Sequence, residues 1–124
     1  MSTLPTEADS IEVRQIARKQ TTLYSAWFGQ TLRDGDTLAS VVSVTQVDQP
    51  DAVSGESNTL TLGSGAVNSG GAVSVDGKSR ATNTVVQFRV TAGATQTKGA
   101  YVVEVIGRTT GGDDWPLRCR FVVV

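Results

Sequence analysis

Thr84-Val85-Val86-Gln87-Phe88-Arg89-Val90, with the two runs that follow it, Tyr101 to Arg108 and Leu117 to Val124, decides the fold. In the first run Thr84, Val86, Phe88 and Val90 fall on one face, and Val85, Gln87 and Arg89 on the other. In the second, Tyr101, Val103 and Val105 form the apolar set, opposed by Glu104 and Arg108. In the third, Leu117, Cys119, Phe121 and Val123 alternate with Arg118 and Arg120. A side-chain period of two puts each set on one face of a sheet, so three consecutive strands are expected. Gly111-Gly112-Asp113-Asp114 supplies residues that tolerate positive φ, which makes the last two strands a hairpin. Pro116 follows that turn, where a missing N–H does least harm.

Upstream, Thr21 to Phe28 reads as the first strand of the domain. Both of its faces carry aromatic groups, and Trp27 is the better core candidate because a large ring fills a small sandwich economically. Leu32 to Leu38 is a turn built on Asp34-Gly35-Asp36. Leu38 to Val47 is a second strand, and the adjacent Val41 and Val42 imply either a β-bulge or two partly covered faces. From Ala52 to Asn83 the chain is rich in Gly, Ser, Asn and Thr. Thr59–Leu62 and Ala72–Val75 are short strand candidates there, with Gly63-Ser64-Gly65 and Ser69-Gly70-Gly71 as flexible turns and Asp76-Gly77-Lys78 as a further turn. About seven short strands separated by turns indicate an all-β fold, an immunoglobulin-like β-sandwich. The domain is expected over residues 19–124.

Residues 1–18 form an expected N-terminal arm. Ile11, Val13 and Ile16 are its branched apolar residues. Alternation of the first two with Glu12 and Arg14 favours an extended strand, and the alternative is a short helix capped by Asp9 or Ser10.

The 124 residues suffice for one core. Eleven basic and twelve acidic residues give a formal charge of −1, and no basic stripe stands out, so neither nucleic acid nor a membrane is an expected partner. The first residues have no cationic start followed by an apolar run, so no secretory signal is expected. The chain has no histidine and one cysteine. That rules out a Ser-His-Asp or Cys-His constellation and a thiolate zinc site within the chain. Cys119 reads as a small buried hydrophobe rather than a thiolate activated by Arg118 and Arg120. Asp34, Asp36, Asp48, Asp51, Asp113 and Asp114 all sit in turns, and turn chemistry accounts for them better than calcium does. No catalytic, cofactor-binding or metal-binding residue is assigned, and no enzyme activity is expected. Tyr101, at the start of its strand, is placed to bond the upstream backbone and pin a corner. Trp115, between the Gly-Gly-Asp-Asp turn and Pro116, is either an exposed interface anchor or folded back over the sandwich end.

The run Leu32-Arg33-Asp34-Gly35-Asp36-Thr37-Leu38-Ala39-Ser40 resembles a segment of small Ig-like virion proteins of tailed phages, the fiber–tail adaptor or head–tail region family. So do Tyr24 to Trp27 before it, and Gly99 to Val105, Thr109 to Gly112 and Arg118 to Val124 after it. The likeness runs in order over residues 19–124. The family's Lys-x-Pro is missing at Lys19-Gln20-Thr21, the loop-rich middle is longer, and residues 1–18 are an addition. The resemblance implies a non-catalytic structural protein of the virion, made in the bacterial host cytoplasm. It would bind capsid, connector, portal–tail or tail-fiber subunits as an adaptor at the head–tail or fiber–tail joint, in multiple copies within a symmetric assembly. A capsid decoration protein is the near alternative. A carbohydrate-binding or adhesion module using Trp115 is the alternative of another class. Ile11, Val13, Ile16 and Trp115 are the expected partner-binding residues.

Overall fold

The computed structural model describes residues 9–33 and 35–124, with side chains from Glu12 onward. The chain is all-β. Its strands are β1 (Asp9–Ile16), β2 (Thr21–Trp27), β3 (Leu38–Asp48), β4 (Thr61–Leu62), β5 (Ala66–Val67), β6 (Val73–Val75), β7 (Lys78–Arg80), β8 (Val85–Thr91), β9 (Gly99–Thr109) and β10 (Asp114–Val123). One sheet has the order β1-β10-β9-β3. A second has the order β2-β8-β4, with β5 also on β8, and β6 and β7 form a separate hairpin. The two larger sheets pack face to face as a sandwich.

The core is built from the period of two. Leu117, Cys119, Phe121 and Val123 of β10, Tyr101, Val103 and Val105 of β9, and Val86, Phe88 and Val90 of β8 are all buried in one cluster. The rings of Tyr24, Phe88 and Phe121 sit at its centre, with centroids 4.8–6.2 Å apart and tilted or edge-on. Such pairs add about 0.5–1.5 kcal/mol each beyond the area they bury.

Four differences from the sequence reading have physical causes. First, the arm expected over residues 1–18 is, from Asp9 onward, a strand of the sandwich. β1 runs parallel to β10, with Val13 opposite Arg120 and Ile16 opposite Val123. Ile16 is fully buried in the core, and the Tyr24 hydroxyl donates to the Glu12 carbonyl at 2.6 Å. Second, the inward residues around β2 are Tyr24, Ala26 and Phe28, not Trp27. Trp27 lies on the outer face under the Arg80 guanidinium, 3.6 Å from the ring centroid. Gly29 makes room for it, since a Cβ there would stand 2.2 Å from the indole. Third, Gly65 is packed rather than loose. Its Cα approaches Val86, Val41 and Val44 so closely that a Cβ would lie 3.0–3.1 Å from them. Fourth, Lys78–Arg80 is a strand, because Asp76 and Gly77 (φ 53° and 73°) form a two-residue hairpin turn with both φ values positive.

The ambiguity at Val41-Val42 resolves as a bulge. The register of β3 against β9 shifts between Val41 and Ser43, and also near each end of the strand.

Candidate binding surface

Three features could meet another molecule: a corner at one end of the sandwich, the outer face of the β1-β10-β9-β3 sheet, and the free edge of β3.

The corner is built around Tyr101. Its hydroxyl donates to the Thr97 carbonyl at 2.5 Å and accepts from Gln96 Nε2 at 3.0 Å. Gln96 is itself buried, donates to the Ser57 carbonyl and accepts the Gly93 N–H. Arg18 Nε bonds the Gln96 carbonyl at 2.8 Å and pairs with Glu56 at 2.6 Å. The segment after β1, the loop before β9 and the loop at 56–57 are thereby bonded together. The structural role expected for Tyr101 is the one observed. Because its buried polar groups bond one another, the corner is stiff and offers a ligand few unpaired groups.

The outer face of the four-stranded sheet is mixed in chemistry. Across it run the rows Val13–Arg120–Val102, Gln15–Val122–Ala100, Arg118–Glu104–Thr45 and Pro116–Ile106–Ser43. Val13 is 61% exposed at one border of the face. Arg118 and Glu104 approach to 3.7 Å. Arg108 and Asp114 form a two-pronged pair at 2.7 and 3.0 Å. The hydrogen bonds from Arg108 hold the Asp114 carboxyl below the usual carboxylate range, against an opposing effect of burial that outweighs the lesser help of the Arg108 charge. The same contact raises Arg108. Both groups lie at the surface, so the pair adds little to stability.

At the other border lies β3, paired only with β9 among the described residues. Beside it a cleft of about 340 Å³ opens between β3 and the β4–β5 strip, lined by Val41, Val42, Ser43 and Val44 on one side and Leu62, Gly63, Ser64 and Gly65 on the other. A second shallow concavity, lined by residues 67–73 and Gln87, contains Asn68. The Asn68 amide already bonds the carbonyls of Gly71 and Ala81 and the N–H groups of Thr84 and Val85. Among the described residues no cluster of three or more carboxylate or sulfur groups could hold a metal ion.

The structure separates the four expected partner-binding residues. Val13 is exposed on the outer sheet face, whereas Ile16 is inside the core. The side chain of Ile11 lies outside the described residues, as does Asp34 of the expected turn. Trp115 is folded inward and only 3% exposed, so it offers neither an interface anchor nor a flat ring for a sugar. The reason is strand register. β10 begins at Asp114, which puts Trp115 on the same face as Leu117 and opposite Gly107, a residue with no side chain of its own and with Leu38 and Phe28 packed over it. The cleft beside β3 was not foreseen. Its signal in the sequence is the absence of charge from Leu38 to Val47. Comparison with known proteins finds no family model and no curated protein that matches the chain.

Proposed function

We propose that the chain is a non-catalytic binding protein, an Ig-like sandwich that joins other subunits in a larger assembly. The observation that carries this reading is the four-stranded sheet, bordered among the described residues by β1 with its exposed Val13 on one side and by β3, uncharged from Leu38 to Val47, on the other. Strands with open edges bind through main-chain hydrogen bonds and need few special side chains. The Ig-like assignment is supported by the split of strands between the sheets, β1-β10-β9-β3 against β2-β8-β4, and by the corner tyrosine bonded four residues upstream.

The narrower reading, a structural protein of a tailed-phage virion acting at the head–tail or fiber–tail joint, rests on the sequence resemblance over residues 19–124. A multi-copy assembly suits a surface of modest area, because many weak contacts act together. The test is to purify phage particles produced in cells that express the chain in place of the phage's own copy. The chain should co-sediment with particles, and Val13→Asp should reduce its incorporation while leaving its circular dichroism unchanged. Particles assembled at normal yield without the chain would refute the reading.

A further inference from the structure

The β6–β7 hairpin joins neither large sheet. It lies against the outer side of the second sheet and reaches across to the first. At its base Arg80 covers the Trp27 ring of β2. At its tip the Asp76 N–H donates to Glu12 Oε1 of β1 at 2.7 Å. β1 and β2 are border strands of different sheets, so the hairpin straps the seam between them. Glu12 ties the same seam beneath it, since its carbonyl accepts the Tyr24 hydroxyl and its Oε2 accepts from Arg14.

The strap is firm at its roots and lightly held beyond them. Asn68, only 6% exposed, donates to the carbonyls of Gly71 and Ala81, one on each root, and accepts the N–H groups of Thr84 and Val85. Past that line, among the described residues, one hydrogen bond joins residues 72–80 to another strand, the Asp76–Glu12 contact at an exposed site. Val75 is the one fully buried side chain of the hairpin. It and Val85, which stands opposite Trp27, are both covered yet lie outside the main core cluster. Closure also carries a cost, because Arg80 Nε is buried without an acceptor. A stranded donor regains a partner in water once it is exposed, so the closed position is favoured only narrowly.

We propose that the β6–β7 hairpin is a lid that swings about the line from Gly71 to Ala81 while the sandwich beneath it stays folded. Asn68 fixes that line. Gly71 sits on it at φ 153°, a backbone region that residues with a Cβ rarely enter. Closed, the lid presents Ser74, Asp76, Lys78 and Ser79, all exposed, and covers Trp27 and Val85. Open, it bares the indole and Val85 on the face where Leu23 is already 42% exposed. The outer face of the second sheet thus has two states, one polar and one aromatic.

The inference goes beyond the binding reading and does not depend on it. Its test is NMR relaxation dispersion on the purified full chain, which reads motion on the μs–ms scale. Amides 73–80 and the Trp27 indole N–H should share one exchange process, with an open population of about 0.1–10%. Core amides of β8, β9 and β10 should take no part in it. Val75→Ala removes apolar burial under the lid, and Glu12→Ala removes the acceptor for Asp76. Each should raise the open population about threefold or more, with circular dichroism unchanged. Flat profiles over 73–80 in the parent and both variants overturn the proposal. So does exchange that the core amides share at the same rate, since that is opening of the whole sandwich, or an open population that neither variant moves.

Discussion

Replacing Tyr101 with phenylalanine tests whether the corner holds the sandwich end together. The substitution keeps the ring and removes one oxygen. That oxygen donates to the Thr97 carbonyl and accepts from Gln96 Nε2, and Tyr101, Gln96 and Thr97 are all at least 98% buried. Gln96 Nε2 keeps its bond to the Ser57 carbonyl at 3.2 Å, so the group stranded by the change is the Thr97 carbonyl. Leaving one buried acceptor unpaired destabilises by about 1–3 kcal/mol. For a chain of 124 residues, an unfolding entropy of about 2.1 cal/mol/K per residue amounts to roughly 0.26 kcal/mol/K, so Tm should fall by about 4–12 °C. Scanning calorimetry measures the fall. Urea denaturation should give a lower midpoint at an unchanged slope, the signature of lost stability without a changed unfolded state. Adding Gln96→Ala to Tyr101→Phe should give less than the sum of the two single effects, since residues in one network couple. A Tm within about 2 °C of the parent, less than the smallest loss estimated for one stranded acceptor, would refute the reasoning.

Other expectations concern β1, the surface ion pair and the buried residues of β10. Ile16→Ala should destabilise by about 2–5 kcal/mol, as for other large-to-small core changes, while Val13→Ala on the exposed face should stay within about 0.5 kcal/mol; urea titrations of the two compare them directly. Removing residues 1–18 takes away β1 and should unfold the domain or leave it loosely packed, as judged by dispersion of amide NMR signals. Asp114 titrates below the usual carboxylate range when folded, so its pair with Arg108 favours the folded state above that range, and the benefit is lost as pH falls through the depressed value. An NMR titration of the Asp114 carboxyl should return to the ordinary range in Arg108→Gln. Cys119 is fully buried, so a thiol reagent should modify the native chain only at the rate of unfolding, and prompt labelling would contradict its place in the core.

The strands most visible in the sequence were those whose alternation is unbroken. Leu117, Cys119, Phe121 and Val123 face inward as the period of two requires, and so do Tyr101, Val103 and Val105. β1 was harder to place, because Ile11, Val13 and Ile16 do not keep a single period. Val13 and Ile16 stand three residues apart in a regular register and so fall on opposite faces, and the partner that buries Ile16 lies on the last strand described. Trp27 misled because aromatic size suggests the core. Its place was decided by the register of Tyr24 against Phe88, and by an arginine more than fifty positions away that covers the indole. Trp115 could be placed only once β10 was known to begin at Asp114. The cleft beside β3 is a matter of spacing between sheets, which local pattern does not encode. The absence of charge from Leu38 to Val47 was legible, and its meaning came only from the position of β3 at an edge.

The parallel pairing of β1 with β10 has a consequence for how the molecule is made. β1 leaves the ribosome before every other strand described, yet the strand it bonds is synthesised last of them, and that strand must itself settle between β1 and β9. Until then Ile16 has no ladder to join. Contacts so distant in sequence slow folding, because a long loop must close before they return any stability. Completion of the first sheet therefore waits on the last of the strands described, and a nascent chain arrested before Leu117 should still exchange its β1 amides freely.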